Sequence, residues 1–247
     1  MRQCAGTVLL GDSIMTVYVF MQGLVRPSAS KVVEVIRAIK NAMNGDCKVW
    51  YSTWETTEPL DEIEREVDRL VISPEPSVSH ITKYTSPARL FEASGENLTR
   101  PDTYRWIRSQ THACFYARWA LMKLFALGEC SDTDTVIRIR SDTRLEFEPA
   151  YLQELVKMPE TYHVYPAAGR GVVFDDCFGI SSYANMKKVW TYTSFDEHEQ
   201  EVYESKNPEE FCQRAVLRNQ IPVQFLDPSR VQFYIHRPGV DGVQPPV

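Results

Sequence analysis

The chain has 247 residues, of which 43% are hydrophobic and 24% charged, with a formal net charge of −6. That length suits one α/β domain or two closely fused lobes, and it buries enough surface to stand without disulfide staples or a structural metal. The acidic balance excludes a general binder of nucleic-acid backbone, which needs a basic face, but leaves room for one local basic pocket sized for a diphosphate.

Residues 1–15 show no periodicity and read as an N-terminal extension. Thr16 to Phe20 is β-rich and runs into Met21-Gln22-Gly23, the form of a buried strand entering a loop. Ser30 then opens a helix with Val32, Val33, Ile36, Ile39 and Met43 on one face, ended by Gly45. Lys48 to Ser52 is a second strand, so the opening forms a βαβ unit with parallel pairing. An acidic helix or turn from Pro59 to Arg69 and a strand at Leu70 to Ile72 follow. Residues 73–101, with four prolines and many Ser and Thr, predict a long loop.

A long helix is expected from Asp102 or Thr103 to about Leu127, stopped by Gly128. Thr135 to Arg140 is a strand and Ser141 to Arg144 the turn after it. Then come a helix near Pro149 to Lys157, a short strand near His163, and the segment Asp175 to Ile180. Helices follow at Ser182 to Trp190 and at Pro208 to Arg218, the second capped by Asn207 with Pro208 at its first position. Short strands at Val223 to Leu226 and Val231 to Ile235 precede a Pro/Gly tail. This alternation predicts a three-layer α/β/α fold with a mostly parallel central sheet.

Six cysteines, at 4, 47, 114, 130, 177 and 212, form no CxxC pair, which offers neither a zinc site nor a disulfide framework and points to free thiols in a reducing compartment. Asn97-Leu98-Thr99 is a glycosylation sequon in pattern only. No stretch approaches the ~20 apolar residues of a membrane span. The expectation is a soluble cytoplasmic protein whose contact with membranes, if any, is peripheral.

The strongest chemical signal is Val136 to Arg144. Arg138 and Arg140 alternate with isoleucines, so both arginines point to one face, and a buried arginine is costly unless paired. Asp142 ends this strand, where open α/β sheets place their ligands. A carboxylate there can hold Mg²⁺ or Mn²⁺ against a diphosphate; it can equally form an Arg–Asp ion pair with no ligand.

The order of several short motifs resembles the lipopolysaccharide-biosynthesis (WavE-type) glycosyltransferases and related bacterial and large-virus sugar transferases of the Rossmann-like GT-A fold. The pieces are Gln22-Gly23-Leu24-Val25-Arg26 after the first strand and Ser52-Thr53-Trp54-Glu55 after the second. Then come Asn97, Arg100, Arg105, Arg108, Ser109 and Gln110, then Arg138 to Asp142, and finally Asp175 to Gly179 with Met186. The resemblance spans roughly residues 16–190, and its specificity lies in the order of the pieces. It implies a single catalytic domain over residues 16–240, with a nucleotide-binding half at 16–140, an acceptor half at 141–240 and a tail at 241–247.

It further implies transfer of a sugar from a nucleotide-sugar donor to a glycan or glycolipid, with Mn²⁺ or Mg²⁺ as cofactor. Asp142 would hold the cation. Where many GT-A enzymes carry Asp-x-Asp this chain has Asp142-Thr143-Arg144, so a second ligand would come from elsewhere, with His236 a candidate or an ordinary surface histidine. Gln22, Gly23 and Arg26 would meet the nucleotide, or form a strand-end turn with a solvated arginine. Ser52, Thr53 and Trp54 would contact ribose or base, although Trp54 suits a core position equally. Arg105 and Arg108 share a helix face and would reach the diphosphate together with Arg140 and Ser141, or form a solvated stripe.

On the acceptor side, one of Asp175 and Asp176 would take the proton of the attacking hydroxyl, the other turning to solvent or capping. Glu209 and Glu210 are weaker candidates, because the first turn of a helix favours acids whatever the function. Two other readings compete. A nucleotidyltransferase would want a glycine-rich phosphate loop, and only Gly23 is present. A sugar- or nucleotide-binding module would tolerate the missing second Asp. A serine hydrolase lacks its GxSxG elbow.

Overall fold

The computed structural model describes residues 15–56, 58–74, 114–166, 174–193, 201, 205 and 208–235. Strand β1 (Val17–Gln22) is buried at every position, the pattern of a central strand covered on both faces. It leads through a loop to helix α1 (Ala29–Ala42), whose N-cap is Ser28; the Ser28 hydroxyl accepts the Lys31 N–H, one of the donors that a helix start leaves unpaired. Val32, Val35, Ile36 and Ile39 of α1 pack on the sheet. Strand β2 (Lys48–Trp54) pairs parallel to β1, completing the expected βαβ unit.

Helix α2 (Asp61–Glu66) is shorter than the sequence suggests, and strand β3 (Arg69–Ser73) pairs parallel to β2. The described part of helix α3 covers residues 114–125. Strand β4 (Thr135–Arg140) has the bounds read from sequence and pairs parallel to β1 on the side away from β2. Then come β5 (Thr143–Phe147), α4 (Pro149–Leu155), β6 (Tyr162–Val164) and β7 (Phe178–Ser182). Helices α5 (Tyr183–Trp190) and α6 (Pro208–Arg218) and strands β8 (Val223–Phe225) and β9 (Val231–Ile235) complete the described fold.

Seven strands form one sheet in the order β3-β2-β1-β4-β7-β6-β8, and β5 pairs with β9 in a separate antiparallel ribbon. The large sheet is mostly parallel; β7 alone runs against both β4 and β6. Thr143 and Arg144, expected in a turn, instead begin β5. Helices cover both faces. One layer joins α1, α4 and Ile63 of α2 to Ile137 and Ile139 of β4; the other joins α3, α5 and α6 to Tyr18, Phe20, Trp50 and Val136. This is the three-layer α/β/α arrangement.

The topology positions the site. Successive parallel strands step outward from β1 to β3, and the chain then crosses back to place β4 on the other side of β1. The carboxyl ends of β1 and β4 therefore flank the switch point, where open α/β sheets leave a crevice. Among the described residues no helix is long and apolar enough to cross a membrane.

Candidate functional site

The crevice is built from backbone first. β1 ends at Gln22, and Gly23 follows with φ of +119°, a conformation that L side chains rarely adopt. A Cβ there would lie 2.8 Å from Ser141 Oγ, so glycine lets the two loops close on each other. They are then stitched together. Ser141 N–H donates to the Gln22 carbonyl at 2.9 Å, Ser141 Oγ–H to the Leu24 carbonyl at 2.6 Å, and Tyr51 O–H to the Gly23 carbonyl at 2.9 Å.

Asp142 stands at this corner, 3% exposed. Arg140 Nε donates to its Oδ1 at 2.9 Å and Arg140 Nη2 to its Oδ2 at 2.8 Å, a two-point grip; Arg26 Nη2 adds a bond to Oδ2 at 3.2 Å. Burial pushes the Asp142 carboxyl up, but the guanidinium of Arg140 and then that of Arg26 outweigh it and hold it below the ordinary carboxylate range. Asp142 is an ionised carboxylate between two arginines.

Arg140 also faces the other way. Its Nη1 lies 3.5 Å from Oδ1 of the buried Asp176. Asp175 is half-buried and its Oδ1 accepts the Cys177 N–H at 2.6 Å, which closes its own turn and leaves the rest of the carboxylate toward the crevice. Burial first, and then the charge of Asp176, push the Asp175 carboxyl up to about 6. Glu209, in the first turn of α6, is pushed up to about 7 by burial and by Asp176 and Asp175. Asp142, Arg140, Asp176, Asp175 and Glu209 thus form one network in which a single guanidinium separates a lowered carboxyl from two raised ones.

The remaining expected site residues divide by burial. Ser52, Thr53 and Trp54 are buried, and the Trp54 ring stacks on Tyr116 with centroids 5.2 Å apart and meets Trp119 edge-on at 6.1 Å. Trp54 therefore takes the core alternative: both neighbours are aromatic rings of α3. Gln22 is buried as well, its amide nitrogen donating to the Ala117 carbonyl at 2.7 Å and its oxygen accepting from Arg138 Nη2 at 2.5 Å. Gly23, Arg26 and Arg140 keep exposure, and Ser141 serves through its loop bonds. Arg105, Arg108 and His236 lie outside the described residues. Strand β9 ends at Ile235, whose Cα pairs with Thr143, one residue from Asp142.

Arg138 shares a face with Arg140, as its spacing requires, but lies deeper, 1% exposed with its guanidinium 4.0 Å from the Trp190 ring centroid. Its Nε and Nη1 have no hydrogen-bond partner among the described residues.

The donor set can be tested against a divalent cation. Mg²⁺ and Mn²⁺ take oxygen ligands, and Mg²⁺ in particular binds through one or two carboxylates completed by substrate phosphates and water. An ionised carboxylate with a half-exposed guanidinium on Oδ2 meets that need, because a positive group already occupies the place. Asp175, Asp176 and Cys177 also bring ligand atoms within 4.8 Å of one another, but Cys177 is a thiol that burial pushes well up, an unsuitable ligand for a hard cation.

No protein-family model matches the chain, and no curated protein does. Among solved structures, core-mannan synthase A from Aspergillus fumigatus in its Mn/GDP form is 10% identical, with 95% of this chain and 79% of that chain covered at a TM-score of 0.49. The apo-form glycosyltransferase GlyE of Streptococcus pneumoniae TIGR4 is 11% identical over 87% of this chain, at a TM-score of 0.43. This chain covers 46% of GlyE, about half its length. A 4-diphosphocytidyl-2C-methyl-D-erythritol synthase is 8% identical, covering 86% of this chain and 88% of that one, at 0.46. These solved structures are what the chain is similar to. At TM-scores under 0.5 they say nothing of what it binds.

Proposed function

We propose that the chain is a glycosyltransferase that moves a sugar from a nucleotide-sugar donor to a hydroxyl of a glycan or glycolipid. The observation that carries this reading is the pairing of opposite carboxyl environments across Arg140: Asp142 held ionised at the switch point, Asp175 raised beside it. Group transfer to a hydroxyl needs both. One corner must receive the negative charge of a departing nucleoside diphosphate, and the other must take a proton.

In this reading the diphosphate lies against the Gly23 loop with Arg26 and Arg140, and Asp142 is the carboxylate that would hold Mn²⁺ or Mg²⁺. A bound cation would supply positive charge to the leaving diphosphate. Asp175, the more accessible acid, takes the acceptor hydroxyl's proton; a carboxyl near 6 is ionised at neutral pH yet basic enough to accept. Asp176 holds Arg140 in place and raises Asp175. Residues 16–140 form the donor half and 141–240 the acceptor half of one GT-A-like catalytic domain. The order of motifs that resembles the WavE-type transferases supports a lipopolysaccharide-like or capsule-like glycan as the acceptor. Five described cysteines are free thiols, which suits the cytoplasm.

The test is a screen of nucleotide-sugars for donor hydrolysis with Mn²⁺ present and absent. Release of one sugar by the wild-type protein and its loss in Asp142→Asn are expected. A folded wild-type protein that releases no sugar from any nucleotide-sugar, and whose melting temperature no nucleoside diphosphate raises, overturns the reading.

A further inference from the structure

The two cationic partners of Asp142 are unequal. Arg140 grips the carboxylate at two points, is 24% exposed, and is steadied from the opposite side by Asp176. Arg26 touches Oδ2 alone, through one nitrogen at 3.2 Å, with 46% of its side chain in solvent. It stands in the loop between β1 and α1, three residues past Gly23. A carboxylate oxygen offers two acceptor positions, and on Oδ2 one is filled by Arg140 and the other by Arg26. Because Arg26 is the half-exposed partner, its position is the one that faces water.

We infer that Arg26 is a stand-in for the cation: in the donor-free protein its guanidinium fills the place on Asp142 Oδ2 that Mn²⁺ or Mg²⁺ takes, and it passes to the donor's diphosphate when the cation arrives. This rests on reading Asp142 as the cation's carboxylate. Three physical points carry it. A divalent cation on Oδ2 would face two guanidiniums at once, and releasing one of them relieves the repulsion and frees an acceptor position. Of the two arginines the single-point, exposed one is the cheaper to release. The released group is a planar fork matched to phosphate oxygens, and the reach of a long side chain lets it move while α1 and β4 stay fixed. The exchange also spares the empty crevice an uncompensated charge, since Asp142 is never left facing Arg140 alone.

The consequence is a sign reversal that a merely structural arginine would not give. Mn²⁺ alone is titrated into the full chain by calorimetry, and inorganic pyrophosphate is titrated at saturating Mn²⁺. Wild type, Arg26→Gln, Arg26→Lys and Asp142→Asn are compared, with circular dichroism as the check on folding. Arg26→Gln is expected to bind Mn²⁺ roughly 5–10-fold more tightly than wild type and pyrophosphate about 10-fold more weakly. Arg26→Lys, which keeps the charge, stays close to wild type for Mn²⁺. If Arg26→Gln binds Mn²⁺ no better than wild type while Asp142→Asn loses it, the stand-in role fails and the metal reading stands. If Asp142→Asn binds Mn²⁺ as wild type does, the metal reading itself fails and takes the stand-in with it.

Discussion

Two corners of the crevice hold the same kind of side chain in opposite states. At one, Asp142 is buried yet kept ionised, because two guanidiniums more than repay its lost hydration. At the other, Asp175 and Glu209 are driven up to about 6 and about 7, because burial takes their water and their nearest charged neighbours are themselves acids. The difference lies in company rather than depth. An acid surrounded by arginines becomes a fixed charge, and an acid surrounded by acids becomes a proton acceptor at neutral pH.

The contrast is tested most severely by Asp175→Asn. It removes the proton acceptor and leaves the donor corner intact, so kcat in a sugar-transfer assay should fall roughly 10²–10⁴-fold with donor affinity little changed. An equal loss of both would move Asp175 into a binding role. In wild type, kcat should climb with pH through about 6, as Asp175 loses its proton.

Next in size is Asp142→Asn, which keeps the shape but not the charge. Turnover should drop by about 10²–10³-fold. The Ala variant should in addition unfold more easily, near the lower end of about 3–5 kcal/mol for a broken buried pair, since Arg140 retains Asp176 and some water.

A smaller effect separates the corners by stability. Asp175 titrates higher in the folded than in the unfolded chain, so its contribution is fully present below about 3.8 and is lost as pH rises through about 6; Glu209 extends the loss to about 7. Asp142, whose folded value is lowered, loses its contribution only as pH falls below the ordinary carboxylate range. The melting temperature should therefore decline by a few degrees from pH 5 to pH 8, a change on the order of 1–3 kcal/mol, and Asp175→Asn should flatten it. A melting temperature that rises over that window would contradict the assignment of both acids.

The smallest effect compares neighbours on one helix. Glu209→Gln should raise stability at pH 8 by about 1 kcal/mol, while Glu210→Gln, whose partner is the exposed Arg214, should stay within about 0.5 kcal/mol. Matching shifts in thermal melts of the two variants would break the distinction.

Much of this frame was legible in the residues. β4 could be read to its ends because Val136, Ile137 and Ile139 leave no other option, and α6 likewise from Pro208 to Arg218. Asp142 could be singled out because it terminates an unusual arginine-bearing strand. Elements held by distant partners were not legible. Phe178-Gly179-Ile180-Ser181-Ser182 carries little local β preference and is a strand because β4 and β6 pair with it on either side. Thr143 to Phe147 alternates polar and apolar residues, but its partner lies some ninety residues on. Trp54 could not be placed until α3 supplied Tyr116 and Trp119. Glu209 was explained locally by the helix dipole, and only the packing of α6 brings it to the aspartates.

One contact ties the halves of the crevice together. Arg140 reaches Asp142 at 2.8 Å and Asp176 at 3.5 Å, so a proton bound on either side alters the pull on the shared guanidinium and is felt on the other. Asp175 and Glu209, each raised in part by the neighbouring acids, are expected to lose their protons as a pair rather than independently. A titration curve followed at Asp175 or at Glu209 will accordingly be broadened, and its midpoint will belong to the pair.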